Sequence, residues 1–353
     1  MCEDEVYYRV ADLLKEMIKT PSLSRNEKDV VLILEKTFSE LKLSYERSGN
    51  NIWTFAHPFD QNKKTILLNS HIDTVKPSSD WTKDPFGAEE EDDIIWGLGS
   101  NDAGASVVSL LGAFLLLRQK ELPFNLIYSA TAEEEVSGED GIASVIPLLP
   151  YIDLAVVGEP TRMQLAIAEK GLIVIDGFVK GKAGHAARNE GINAIYEALP
   201  VIERIKDFRF PKVSPLLGEV KTTMTIVQAG SQHNVVPDRF NFTLDVRTNE
   251  CYTNEEAFDY LQREIPCELK ARSFRLNSSG IQLNHPFVER ARILGLECFG
   301  SPTLSDQSRM PFTSVKIGPG DSARSHTADE YIRKSEIREG IDIYVRLLKD
   351  LKI

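Results

Sequence analysis

The stretch at residues 64–75, KTILLNSHIDTV, constrains the fold of this chain more than any other. Its apolar run (Thr65, Ile66, Leu67, Leu68) followed by small polar residues reads as a buried strand that stops where chemistry begins. Residues i and i+2 of an extended segment share a face, so His71 and Asp73 point the same way. That suits a metal-ligating imidazole oriented by a carboxylate, although a capped turn with a hydrogen-bonded histidine has the same pattern. The arrangement recurs twice. Residues 124–130 (FNLIYSA) run into Thr131-Ala132-Glu133-Glu134-Glu135, and residues 153–157 (DLAVV) into Gly158-Glu159-Pro160. Three apolar strands thus deliver imidazole or carboxylate at their carboxyl ends, where open α/β sheets bind ligands. Consecutive carboxylates packed together need cations or raised pKa values; the alternative is a solvated acidic turn.

Composition removes other classes. A length of 353 residues permits one large or two ordinary domains, and 42% hydrophobic with 27% charged residues is a globular, soluble balance. A formal net charge of −12 argues against nucleic acid, whose phosphates require clustered lysine and arginine. The cysteines (Cys2, Cys251, Cys267, Cys298) have no CxxC spacing, so neither a disulfide framework nor a cysteine zinc site is expected. The acidic amino terminus, MCEDEVYYRV, lacks the basic region of a signal peptide. The longest apolar run, near residues 107–117, is short for a bilayer and contains serine and glycine. The expectation is a cytoplasmic protein with no membrane partner.

In chain order, Val6, Val10, Leu13, Leu14, Met17 and Ile18 recur at helical spacing up to Pro21. Ser24 with Glu27 resembles a capping box for a second helix through Leu41. After the organising strand comes IIWGLGSNDAGAS, where Asp102 stands at the expected start of a helix through Leu117 and reads on its own as an N-cap. From Gly171 the pattern changes. Strands at 172–179, 222–228, 241–247 and 268–274 and helices at 193–208 and 254–265 give the order β-α-β-β-α-β, a ferredoxin-like α+β module. It is inserted in the main domain, because the first type of pattern resumes at Asn284, with a helix at 285–298, a strand at 314–317 and a closing helix at 335–351. The expected domains are 1–170 and 281–353 for the catalytic part and 171–280 for the insertion.

The strand-end residues collect into His71, Asp102, Glu134, Glu135, Glu159 and, from the loop SARSHTADEY, His326. Two histidines with several carboxylates and no cysteine suit zinc, and less specifically cobalt or manganese. With one carboxylate shared, five ligands build two adjacent sites roughly 3.5–4 Å apart, a hydrolytic arrangement. One carboxylate is left over as a general base.

The motifs SHIDTV, GLGSNDAGA, TAEEEVSG, VVGEPT, GHAA, NVVPD and SHTADEY resemble, in order and over nearly the whole chain, those of the M20 metallopeptidase and deacylase family. That family includes acetylornithine deacetylases, succinyl-diaminopimelate desuccinylases, glutamate carboxypeptidases and aminoacylases. The resemblance implies an α/β, zinc-exopeptidase-like mixed sheet flanked by helices, with the insertion serving as a dimerisation or lid domain. It implies two zinc ions per chain, one on His71 and Glu159, the other on Glu135 and His326, with Asp102 bridging. It also implies that Asp73 orients His71, that Glu134 is the general base and acid, and that His185 reaches the active site of the other subunit of a homodimer to stabilise an oxyanion. Asn234 and Arg247 would hold an N-acyl amino acid substrate, Arg247 through a carboxylate that its guanidinium fork matches; a plain sheet-surface charge is the alternative for Arg247. Overall likeness to the acetylornithine branch points to N-acetyl- or N-succinyl-ornithine in arginine biosynthesis, with succinyl-diaminopimelate or a peptide as the next choices. Two departures stand out: the usual Asp-x-Lys-Gly is Asp102-Ala103-Gly104-Ala105, without the lysine, and the acidic run is Glu-Glu-Glu where many members have Asp-Glu-Glu. Ser305-Asp306 matches a family loop near the site.

Overall fold

The strand Thr65–His71 is buried at every residue, which requires cover on both faces of its sheet. The computed structural model describes residues 1–188 and 190–353. In it, Asn125–Thr131 and Leu154–Val157 flank Thr65–His71 and run parallel to it. Ser314–Lys316 continues the parallel set beyond Leu154–Val157. Antiparallel strands finish the sheet: Asn51–Phe55 and then Tyr45–Ser48 on one side, Leu165–Glu169 beside Ser314–Lys316 on the other. Ser279–Gly280 and Cys298–Ser301 bring the total among the described residues to nine strands.

Side-chain alternation assigns the two faces. Leu67 and Ile127 join Trp53, Ile142, Val145 and Met310 in one apolar cluster. Tyr128, one residue on, turns to the opposite face and donates its hydroxyl to the Val107 carbonyl at 3.0 Å. Val107 belongs to the helix Ala105–Leu117, whose residues are all buried except one; the helices Glu3–Ile18 and Lys334–Leu348 pack against it. By length and composition the stretch Ser100–Leu117 could cross a membrane, but 89% of it is buried inside the protein, so it is the core helix of this layer.

Contacts divide the chain into two units. Met1–Ile167, Gly280–Phe299 and Ser305–Ile353 form one, and Ala168–Ser279 with Gly300–Leu304 the other. The second unit has the strand Ile173–Lys180, the helix Ala194–Asp207, the strands Lys221–Ala229 and Arg239–Arg247, the helix Asn254–Glu264 and the strand Glu268–Ala271. Its antiparallel sheet is ordered Lys221–Ala229, Arg239–Arg247, Ile173–Lys180, Glu268–Ala271. Ile173, Ile175, Ala198, Val201, Leu244 and Leu261 share its core. Both helices start where the side chains supply caps: Asn193 accepts from the Ile195 amide at 3.0 Å, and Thr253 forms a capping box with Glu256.

Local details differ from the sequence expectation. The second helix, Lys28–Glu40, is preceded by Glu27 without a side-chain cap. Ser24 instead donates its hydroxyl to Asp73 at 2.8 Å, because a buried carboxylate competes more strongly for a donor than a helix end does. Asp102 does not cap the core helix either. It sits inside the wide turn Ser100–Gly104 with extended backbone angles, φ −118° and ψ 98°. The helix after His285 is short, Pro286–Ile293, and Cys298 begins a strand rather than ending a helix.

Candidate metal centre

The four parallel strands of the first unit all end on one edge, and His71, Glu134, Glu135 and Glu159 are at or just beyond those ends. His71 closes Thr65–His71. Glu134 and Glu135 lie in the turn Glu134–Val136 after Asn125–Thr131, and Glu159 follows Leu154–Val157 by two residues. Asp102 comes from the turn before the core helix, and His326 from the loop between Ser314–Lys316 and Tyr331–Arg333.

These side chains converge. His71 Nε2 is 3.2 Å from Asp102 Oδ1, 3.9 Å from Glu159 Oε1 and 4.0 Å from Glu134 Oε2. His326 Nε2 is 3.0 Å from Glu135 Oε2 and 3.8 Å from Asp102 Oδ2. The groups His71–Asp102–Glu159 and Asp102–Glu135–His326 each place their ligand atoms within 4.8 Å of one another, and they share Asp102; His71–Glu134–Glu135 meets the same measure.

Asp73 ties the arrangement together. It is fully buried, accepts the Ser24 hydroxyl at 2.8 Å and receives the backbone N–H groups of Glu134 and Glu135 at 3.0 and 3.1 Å. His71 Nδ1 lies 3.0 Å from the Asp73 backbone carbonyl and 3.5 Å from its carboxylate. An Nδ1–H donated to that carbonyl leaves the Nε2 lone pair facing the other ligands. Asp73 therefore fixes the imidazole and also the turn that presents Glu134 and Glu135.

The electrostatics describe a site that demands cations. Burial pushes Glu159 up to about 8, with Asp102 and Glu135 adding to the rise. Burial likewise raises Glu134 well above the ordinary carboxyl range and Asp306 to about 6. Burial disfavours ionised Asp102, but the His71 imidazole outweighs it and holds that carboxyl low. His71 pays the opposite penalty of burial and is still raised well above its ordinary value by Asp102 and Asp73. The hydrogen bond to Glu135 raises His326 to about 9. Glu159 Oε1 is buried with no hydrogen-bond partner among the described residues. An orphaned carboxylate oxygen among imidazole and carboxylate donors, with no sulfur, fits a borderline divalent ion.

The remaining candidates lie in the second unit. His185 is exposed in the short strand Gly184–His185, paired with Val235–Val236, and its Nδ1 accepts the Ala187 N–H at 3.1 Å. The Asn234 carbonyl accepts from the Ala186 amide at 3.0 Å. Arg247 holds the Asp245 carboxylate through two bonds of 2.8 and 3.0 Å.

Sequence reasoning missed Glu330, which is 2% exposed and binds three backbone amides of the Asp102 turn. Asp306, which the sequence reading placed in a loop near the site, accepts from Asn69 at 2.7 Å and from Thr131 on the same oxygen at 3.0 Å, two partners that reading missed. Asn69 shares the face of His71 by the i, i+2 rule, so that much was open to inference. Lys316, buried at 3%, ends the fourth parallel strand and lowers Glu159 electrostatically.

A mixed α/β fold with this cluster at its strand ends defines the class: the chain is a metal-dependent amide hydrolase. A sequence profile described as Peptidase family M20/M25/M40 matches residues 67–350, and the chain belongs to that family. Its relatives include succinyl-diaminopimelate desuccinylase 2 of Ruegeria sp. (strain TM1040), 25% identical over 96% of this chain and 94% of that protein. The acetylornithine deacetylase of Buchnera aphidicola subsp. Schizaphis graminum (strain Sg) is 24% identical, over 96% of this chain and 97% of that one. The crystal structure of the Bacillus subtilis YXEP protein, a dinuclear metal binding peptidase, superposes with a TM-score of 0.75 at 16% identity, covering 99% of this chain and 100% of that one.

Proposed function

We propose that the protein is a two-zinc amidohydrolase that removes the acyl group from an N-acyl amino acid, with N-acetyl- or N-succinyl-L-ornithine as substrate. The observation that carries the reading is the pair of ligand groups meeting at Asp102, with the partly buried Glu134 carboxylate 4.0 Å from His71 beside them. His71 and Glu159 would hold one ion, Glu135 and His326 the other, and Asp102 both. Bound there, the ions would polarise the scissile carbonyl and make a water more acidic.

The chain's own residues supply the rest. Glu134 accepts a proton from the attacking water, whose oxygen bonds to the acyl carbon. As the C–N bond breaks, Glu134 returns that proton to the leaving nitrogen, giving a carboxylic acid and an amine, which stand as carboxylate and ammonium at neutral pH once the acid's proton passes to the amine. Asp73 keeps His71 and the Glu134 turn in place throughout. His185, from a second copy of the chain, donates to the oxyanion, and Asn234 and Arg247 bind the substrate's polar ends.

A homodimer is part of this reading. Lys221–Ala229 is an edge strand with mostly exposed residues, including Ile226 at 48% and Val227 at 51%. Ile195, Tyr196 and Leu199, all exposed, form an apolar stripe on the helix Ala194–Asp207. A second copy related by a two-fold axis would pair the edge with itself and cover the stripe.

The ornithine assignment is supported by likeness to curated deacylases of small amino acids at about one quarter identity. Succinyl-diaminopimelate is the second choice, on the relative in Ruegeria. Zinc-loaded protein assayed against acetylornithine, succinylornithine, succinyl-diaminopimelate and a dipeptide panel tests the choice. Turnover of an acyl-ornithine above the others is expected, and no activity on either acyl-ornithine ends the assignment.

A further inference from the structure

We infer that Glu330 is a positioning residue of the metal centre, whose buried carboxylate clamps the turn carrying Asp102 to the segment carrying His326. The inference rests on the metal reading proposed above and concerns how the two ligand groups are kept in register.

One carboxylate takes three backbone donors from the turn. Glu330 Oε1 accepts the N–H groups of Asn101 and Asp102 at 2.8 and 2.9 Å, and Oε2 accepts that of Gly99 at 3.1 Å. Gly99 reaches this conformation with φ at +74°, where a Cβ would also stand 2.5 Å from Thr74 Cγ2. The turn thus forms a concave nest of amides, the kind of backbone that binds anions, and here the anion belongs to the chain itself. The Glu330 carbonyl accepts from Gly97 at 2.9 Å, which fixes the entry to the turn as well.

A second clip closes the other end. Asn101 accepts the Asp321 amide at 2.8 Å and donates to the Asp321 carbonyl at 3.1 Å. The segment from Asp321 to Glu330 is therefore tied at both ends to the Asp102 turn, and His326 lies between the ties. Asp102 divides its oxygens between His71 and His326, at 3.2 and 3.8 Å. Moving its backbone moves both separations at once. The Glu330 carboxylate bonds to backbone amides of the turn; it acts through the amide of Asp102 and the path to His326.

A residue that only stabilised the fold would lower stability and leave zinc affinity alone. Glu330→Gln keeps the shape but offers one acceptor oxygen and sets an amide donor against the remaining N–H. Glu330→Asp keeps the charge on a shorter stem, and Phe38→Leu, in the core, serves as a purely destabilising control. Stepwise zinc affinities of the folded proteins are measured by competition with a chromophoric chelator, with the visible spectrum of the cobalt form as a second readout. The expected result is a loss of about 10- to 100-fold in at least one step for Glu330→Gln, a changed cobalt spectrum, partial recovery in Glu330→Asp, and wild-type affinities in Phe38→Leu. If Glu330→Gln does not fold, Glu330→Asp alone decides, with at least a threefold loss expected. Wild-type protein that binds two zinc ions while the foldable Glu330 variants bind them within twofold of wild type overturns the positioning role. Wild-type protein that binds no zinc overturns the metal reading itself.

Discussion

Asparagine at position 73 isolates one charge in the scaffold of the centre. Asp73 has no exposed surface, and its carboxylate takes three donors: Ser24 Oγ at 2.8 Å, Glu134 N–H at 3.0 Å and Glu135 N–H at 3.1 Å. An asparagine has one acceptor oxygen. In its better orientation that oxygen keeps Ser24 and Glu135, and the new NH2 faces the Glu134 amide. One charge-assisted bond, about 1.5–3 kcal/mol, is lost and two become neutral, at about 1 kcal/mol each. The expected destabilisation is about 3–5 kcal/mol, and loss of control over His71 and the glutamate turn adds about 10- to 100-fold in zinc affinity. Burial raises the Asp73 carboxyl, but the His71 imidazole 3.5 Å away, with Ser24 and the Glu134 amide, outweighs it and holds the group below its ordinary 3.8. Its contribution is thus present above about pH 4 and is lost as the pH falls through the lower folded value. Asp73→Asn should therefore flatten the acid limb of the stability profile as well as lower its plateau. Urea unfolding of the metal-free protein from pH 7 to pH 3, with chelator competition at neutral pH, measures both effects. A variant within 1 kcal/mol of wild type that binds zinc within threefold would refute this account of the residue.

Glu134→Gln should retain its zinc and lose about 10²- to 10⁴-fold in kcat; near-normal turnover would mean that another group is the base. Zinc binding should tighten as the pH rises towards about 9, where His326 gives up the proton that Glu135 helps it hold, and calorimetry in buffers of different ionisation enthalpy should detect proton release at neutral pH. Arg247→Ala should raise KM at least about tenfold with kcat little changed, since a guanidinium bound to Asp245 can exchange that partner for a substrate carboxylate; an unchanged KM would make it a surface ion pair. Mixing inactive His185→Ala and inactive Glu134→Gln chains should restore activity through heterodimers with one complete centre, and mixtures that exchange subunits yet stay inactive would exclude a shared site.

Much of the sheet was legible because its central strands are long, apolar and buried on both faces. Thr65–His71 and Asn125–Thr131 needed only their own sequences to be recognised. Leu165–Glu169 was not recognised, although it is fully buried: five residues of mixed Leu, Ala, Ile and Glu hold no period that separates strand from helix. The second unit was legible to within a few residues at nearly every boundary, because alternation in its strands and caps such as Asn193 and Thr253 are local signals.

Four candidate ligands could be found for a different reason: His71, Glu134, Glu135 and Glu159 stand where an apolar run breaks off into a charge, and such a break is expensive unless something is bound there; Asp102 and His326 lie in polar turns and came from the resemblance of their motifs. The groups that hold the ligands leave no such mark. Ser24 reads as a helix cap until Asp73 is placed 2.8 Å away. Glu330 reads as one of two acids in ADEY until three amides from residues 99–102 are found around it. Its neighbour Asp329 accepts from Thr82 and Lys83 at the surface instead. What separates the two acids is which donors the tertiary fold presents, over 200 residues away in the chain. Ligand identity is thus a property of local pattern here, whereas ligand geometry is a property of long-range hydrogen bonds. Burial pushes the Glu330 carboxyl up to about 8, and Asp102 adds to that rise, while the three amide donors pull the other way. A cation held by Asp102 would remove the like-charge repulsion between the two acids and leave the amides in control, so filling the centre and tightening its clamp reinforce one another.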